Sequence, residues 1–118
     1  MKIIETEKAP KAIGTYSQAT KVDGFLFISG QIPLDPKTME LVEGIENQIN
    51  QVFENIRQIL KADGMDFSNV VKLSVLLDDL NHFEKVNEIM VSIFSKPCLL
   101  YTSPSPRDLD LSRMPSSA

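Results

Sequence analysis

Few residues in this 118-residue chain combine a reactive type with a telling position. His82 is the sole histidine, and an imidazole that titrates near neutrality suits a general base. It stands at the start of a predicted helix, where an exposed histidine with no chemical task is the simpler reading. Asp78 and Asp79 are adjacent carboxylates that could share a metal ion, but helix capping and solvated charge explain them better. Cys98 suggests a nucleophile and Arg107 an anion clamp, yet both fall in a C-terminal stretch of different composition. Tyr16 lies in a polar loop beside Gly14 and Ser17 and reads from those neighbours as a packing tyrosine. Gly30 follows an apolar strand and marks either a turn or a close approach of backbone to a ligand. Asn87 is placed by its neighbours Val86 and Met90 on the inner side of a helix, where it serves either a structural hydrogen bond or a site. There is no GxGxxG, no P-loop, no CxxC and no nucleophile elbow.

Composition bounds the partners. Apolar residues make up 42% and charged residues 24%, an ordinary globular balance for one small domain. The net charge of −4, from 12 basic and 16 acidic residues, gives no electrostatic footprint for nucleic acid or an anionic membrane. One cysteine excludes an intramolecular disulfide framework, and with one histidine it argues against a structural zinc site. The N-terminal MKIIETEKAP lacks the apolar run of a signal peptide, and no stretch is long and apolar enough to span a bilayer. A cytoplasmic protein is the expectation.

The elements that must position these residues follow from pattern. Ile3 and Ile4 suggest an edge strand. Residues 19–22 and 25–29 form the arms of a hairpin around Asp23-Gly24, a type I′ turn signal. Asp35-Pro36-Lys37-Thr38 reads as a turn. A helix is predicted over 44–62, its apolar stripe formed by Ile45, Ile49, Val52, Phe53, Ile56, Ile59 and Leu60, with Gly64 as its stop. Residues 70–77 are apolar nearly throughout, as in a central strand. Asn81 and Glu84 have capping-box spacing before a second helix over 82–94, with Phe83, Val86, Met90, Ile93 and Phe94 inward. The order β-ββ-α-β-α implies an α+β fold: a two-layer mixed β-sheet with two helices on one face, its last strands missing.

Residues 98–118 stand apart. They hold five serines and three prolines in 21 positions, against ten such residues in the preceding 97, and show no apolar period. Their sequence resembles a translated sequencing adapter of the transposase type. In one frame its codons yield Cys-Leu-Leu-Tyr-Thr-Ser-Pro-Ser-Pro-Arg-Asp, matching 98–108. After a short index its continuation yields Ser-Arg-Met-Pro-Ser-Ser-Ala, matching 112–118. The expected organisation is therefore a partial domain over 1–97 and a non-native, disordered tail over 98–118.

AIGTYSQA (12–19), FLFISGQIPLDPKTMELV (25–42), the first helix and VVKLSVLLDDLNHFEKVNEIM (70–90) closely resemble the RidA/YjgF family. The resemblance covers essentially all of residues 1–97. It implies a chorismate-mutase-like fold, a homotrimer with active sites between subunits, and hydrolysis of reactive enamines and imines to 2-oxo acids and ammonia. It implies no metal or cofactor and an imine or enamine as the small-molecule partner; the acidic balance counts against nucleic acid, and composition against a membrane partner. Non-enzymatic ligand-binding or regulatory trimers, and ribonucleases or translation inhibitors, remain the alternatives for such a family. Tyr16, Gly30 and Asn87 match its substrate-site positions. Its anion-binding arginine and water-positioning glutamate belong to strands after the second helix, and neither motif occurs here, so the catalytic residues stay unassigned and this chain is expected to be inactive. Arg107 does not replace that arginine. Resequencing the source DNA with a different library chemistry should return another sequence after Pro97; an unchanged reading frame overturns the adapter origin.

Overall fold

The computed structural model describes residues 1–12, 17–77, 79–94, 99–104 and 110–112. Strands β1 (Lys2–Ile4), β2 (Ala19–Val22) and β3 (Phe25–Ile28) form an antiparallel sheet in the order β1-β2-β3. The hairpin forms where the Asp-Gly signal places it. Asp23 and Gly24 adopt φ of 50° and 83°, as a type I′ turn requires, and Val22 pairs with Phe25. Strand β1 is an edge strand, with Ile3 opposite Thr20.

The first helix, α1 (Ile45–Ala62), follows Gly44, whose φ of 87° turns the chain into it. Its end is a Schellman motif. The Met65 amide donates to the Leu60 carbonyl and the Gly64 amide to that of Lys61, with Gly64 at φ 71°. Strand β4 (Lys72–Leu77) follows a 3-10 turn, Phe67–Asn69, which is capped by the Asp66 side chain. The second helix, α2 (Phe83–Ile93), ends this run. The capping box expected from Asn81 and Glu84 does not form. Asp79 instead accepts from the Asn81 amide and caps a short 3-10 turn, Leu80–His82, so the chain is already coiled when α2 begins. Asp79 thus has the capping role expected of it, while Asp78 lies outside the described residues.

The expectation of a strandless tail is corrected. Residues Leu99–Pro104 form β5, parallel to β4, and Asp110–Ser112 form β6, antiparallel to it, in a second sheet of order β5-β4-β6. Strand β4 is therefore central, as its apolar run implies. The reason is backbone chemistry: an open strand presents a row of unpaired N–H and C=O groups that any extended segment can satisfy, whatever its side chains.

Both sheets turn alternate residues toward the helices. Ile4, Ala19, Leu26 and Ile28 from the first, and Leu73, Val75 and Leu77 from the second, share one buried cluster with the stripe of α1 and with Val86 and Met90 of α2. This is the α+β two-layer arrangement the element order implies. Phe53, Phe67 and Phe94 close its end in edge-to-face contacts, with centroids 5.2–6.3 Å apart. At the rim, Lys21 reaches Asp63 at the end of α1, with Nζ 2.9 Å from Oδ2. Among the described residues, no helix is long and apolar enough to cross a membrane. Phe53→Ala should cost about 3–5 kcal/mol of unfolding free energy, whereas Val91→Ala, on the exposed side of α2, should stay within about 0.5 kcal/mol, both read from urea denaturation.

Candidate functional site

Where strand β3 ends, the chain passes Ser29 and Gly30 and runs into the Gln31-Ile32-Pro33-Leu34 segment. A crevice of ≈ 70 Å³ opens there between two walls. Pro10, Lys11 and Ala12 form one, and Gly30, Gln31, Ile32 and Leu34 the other, with Gln18 between them. Its volume accommodates two or three waters and falls well short of the roughly 300–1,000 Å³ of a drug-sized ligand pocket.

The walls are held by buried amides. Gln18 is buried, and its Nε2 donates to the carbonyls of Thr6, Ala9 and Pro10 at 3.0, 3.2 and 2.8 Å. Its Oε1 accepts from the Thr6 amide at 2.7 Å. The Ser29 amide donates to the Gln18 carbonyl at 3.0 Å, and Ser29 Oγ to the Ser17 carbonyl at 2.6 Å. Gln31 is buried, with Nε2 donating to the Ser29 carbonyl. On the far wall, Asn55 of α1 is wholly buried and donates from Nδ2 to the Leu34 carbonyl at 3.1 Å, while its Oδ1 accepts from Gln51. The crevice thus has polar backbone at its rim and fixed walls.

Of the residues read as site candidates, Gly30 lies in this crevice. Positive φ among the described glycines falls at Gly24, Gly44 and Gly64, so Gly30 makes no left-handed turn. Tyr16 lies outside the described residues. The inward placement of Asn87 is corrected: it is exposed. The buried arc of α2 runs through Val86 and Met90 and leans toward Ile89 and Ile93, leaving Asn87, about 100° round from Val86, on the other flank. Gln18, Ser29, Gln31 and Asn55 had not been singled out. Only Asn55 carried a legible signal, as an amide inside an apolar stripe.

Two roomier depressions hold less chemistry. A hollow of ≈ 740 Å³ lies beyond Gln18 against Glu5, Glu7 and Pro36. A groove of ≈ 590 Å³ along α1 is lined by Asn47, Asn50, Gln51, Glu54 and Arg57. Its carboxylate is already engaged. Arg57 donates to Glu54 from Nε at 3.0 Å and Nη2 at 2.7 Å, and this bonding holds the Glu54 carboxyl below its usual range despite partial burial. A lowered folded value stabilises above the ordinary carboxylate range and fades as pH falls through it. With both side chains more than two-fifths exposed, the pair contributes less than about 1 kcal/mol. Among the described residues, no group of three or more His, Cys, Asp or Glu could hold a metal ion.

The fold and the crevice define a small two-layer α+β domain with a polar crevice at a strand exit. The profile described as Endoribonuclease L-PSP matches residues 6–109, and the chain belongs to that family, also called RidA/YjgF. A RutC family protein of Pyrococcus horikoshii is 47% identical over 114 residues, covering 96% of this chain and 86% of that protein. A mouse protein named 2-iminobutanoate/2-iminopropanoate deaminase is 52% identical over 94 residues, covering 79% of this chain and 70% of that one. The crystal structure of RidA from an Antarctic Psychrobacter superposes with a TM-score of 0.87 at 42% identity, covering 98% and 99% of the two chains. Asn55→Leu should cost about 1–3 kcal/mol by stranding the Leu34 carbonyl, and should shift the Ile32 and Leu34 methyl resonances; unchanged resonances would show that α1 does not hold this wall.

Proposed function

We propose that residues 1–97 come from an enzyme that hydrolyses reactive 2-imino acids, 2-iminobutanoate and 2-iminopropanoate, to 2-oxo acids and ammonia. The observation that carries this reading is the 51–52% identity over 94 residues with relatives named 2-iminobutanoate/2-iminopropanoate deaminase. In that reaction water adds to the C=N carbon, the C–N bond of the resulting carbinolamine breaks, and nitrogen leaves as ammonia. A protein helps chiefly by holding the imine and the water in register and by moving protons. In this reading the crevice beside Gly30 receives the small substrate, with Tyr16 and Asn87 as further contacts.

Such a site needs groups that the strand after α2 does not supply. A carboxylate substrate calls for a bidentate guanidinium, and water attack calls for a carboxylate. Strand β5 reads Leu-Leu-Tyr-Thr-Ser-Pro, which contains neither. We therefore take residues 98–118 as adapter-encoded and this chain as inactive.

The crevice is small for one subunit, and the sheet face turned away from the helices exposes Ile3, Val22 and Phe25. Both features fit a homotrimer whose sites lie between subunits. Ribonuclease activity, which the family description names, is disfavoured by the net charge of −4.

The test is a chimera joining residues 1–97 to the corresponding C-terminal strands of the mouse relative. Supplied with 2-iminopropanoate generated in situ, it should release ammonia, leave RNA intact and scatter light with a trimer's mass. The chain as written should release none above the uncatalysed rate. A folded, trimeric chimera without hydrolysis sinks the deaminase reading, and hydrolysis by the present chain sinks the claim of inactivity.

A further inference from the structure

We infer that Gln18 is a positioning residue, one buried carboxamide that sets both walls of the crevice and so fixes where Gly30 stands. The inference rests on reading that crevice as the site. The 6–10 run belongs to no helix or strand, so its carbonyls have no ladder partners. Ala9 and Pro10 are buried, and an unpaired carbonyl there is costly. The Gln18 side chain is what satisfies them: its amide serves Thr6, Ala9 and Pro10 while its oxygen takes the Thr6 N–H. Two protons shared among three carbonyls require at least one bifurcated bond, which fixes the amide plane.

The same residue holds the opposite wall through its backbone. The Gln18 carbonyl accepts from the Ser29 amide, immediately before Gly30, and the neighbouring Ser17 carbonyl accepts from Ser29 Oγ. The 10–12 wall and the Ser29-Gly30 wall are thus both referred to residues 17 and 18.

The donor requirement makes the idea testable. In Gln18→Glu an ionised carboxylate keeps the acceptor but offers no proton to three carbonyls. Burial beside those oxygens raises its pKa, so acid restores one donor. By amide exchange and NMR, the protection factor of the Thr6 amide, which donates to Gln18 in the wild type, should fall about tenfold or more at neutral pH and recover in acid. The Gly30 cross-peak should move with the same midpoint, while β4 amides keep wild-type protection. Gln18→Met should loosen the same segment at every pH, and wild type should show no such titration.

Wild-type protection in Gln18→Glu at neutral pH overturns the inference, as does a Gly30 resonance that ignores the loop's titration. If Gln18→Glu unfolds when ionised, Gln18→Met decides: loosening of 6–12 together with a Gly30 shift supports the role, and an unmoved Gly30 removes it. Exchange is read without turnover, so a failure of the deaminase reading leaves this result standing, and the reverse holds as well.

Discussion

The apolar stripe of α1 meets the inward faces of both sheets, and every other element is placed by reference to that contact. Ile49, Val52, Phe53, Ile56, Ile59 and Leu60 are all buried there, each worth about 1.5–3 kcal/mol of hydrophobic stabilisation. The alternation in β3 and β4 supplies the matching surface, and α2 closes it with Val86 and Met90. The attraction is strong but non-directional. It holds layers together without saying where a loop between them should run.

Direction comes from the few polar groups taken into that interior. Asn55 sits on the helix that makes the core, yet spends its amide on the Leu34 carbonyl, 21 residues away in sequence. Gln18 does the same for the segment before β2. Each is tolerable only because its hydrogen bonds are made, and each converts a loop the core would leave loose into a wall with one position. The crevice lies where these two constraints converge. Hydrophobic burial builds the platform, and buried amides aim what stands on it.

This division decides what could be read in advance. Strong periodic or turn signals were legible: the Asp23-Gly24 hairpin, α1 from Ile45 to its stop at Gly64, and the central β4. Their local and tertiary preferences agree. The start of α2 misled because Asn81 and Glu84 have the right spacing, while Asp79, two residues earlier, reaches an amide first and coils the chain as a 3-10 turn. Asn87 misled because adjacency to Val86 is not coincidence on a helix face; one residue is a rotation of about 100°. Of the residues singled out in the sequence, Gly30 lines the crevice. Gln18 is an ordinary glutamine in a loop until three carbonyls, from residues 6, 9 and 10, converge on it, and no local pattern encodes that convergence.

The strands after α2 separate fold from chemistry. The β4–β5 pairing runs from Lys72 opposite Leu99 to Leu77 opposite Pro104, and such a ladder is written in backbone groups alone. Any extended segment of suitable length can occupy it. Catalysis does not share that indifference, because a guanidinium or a carboxylate must project from particular positions on the strand. A chain can therefore keep the architecture of its family, with a central β4 and a formed crevice, while the residues that would act on a substrate are replaced. Structural likeness at the level of the whole fold then testifies to ancestry, and only the side chains placed at a site can testify to activity.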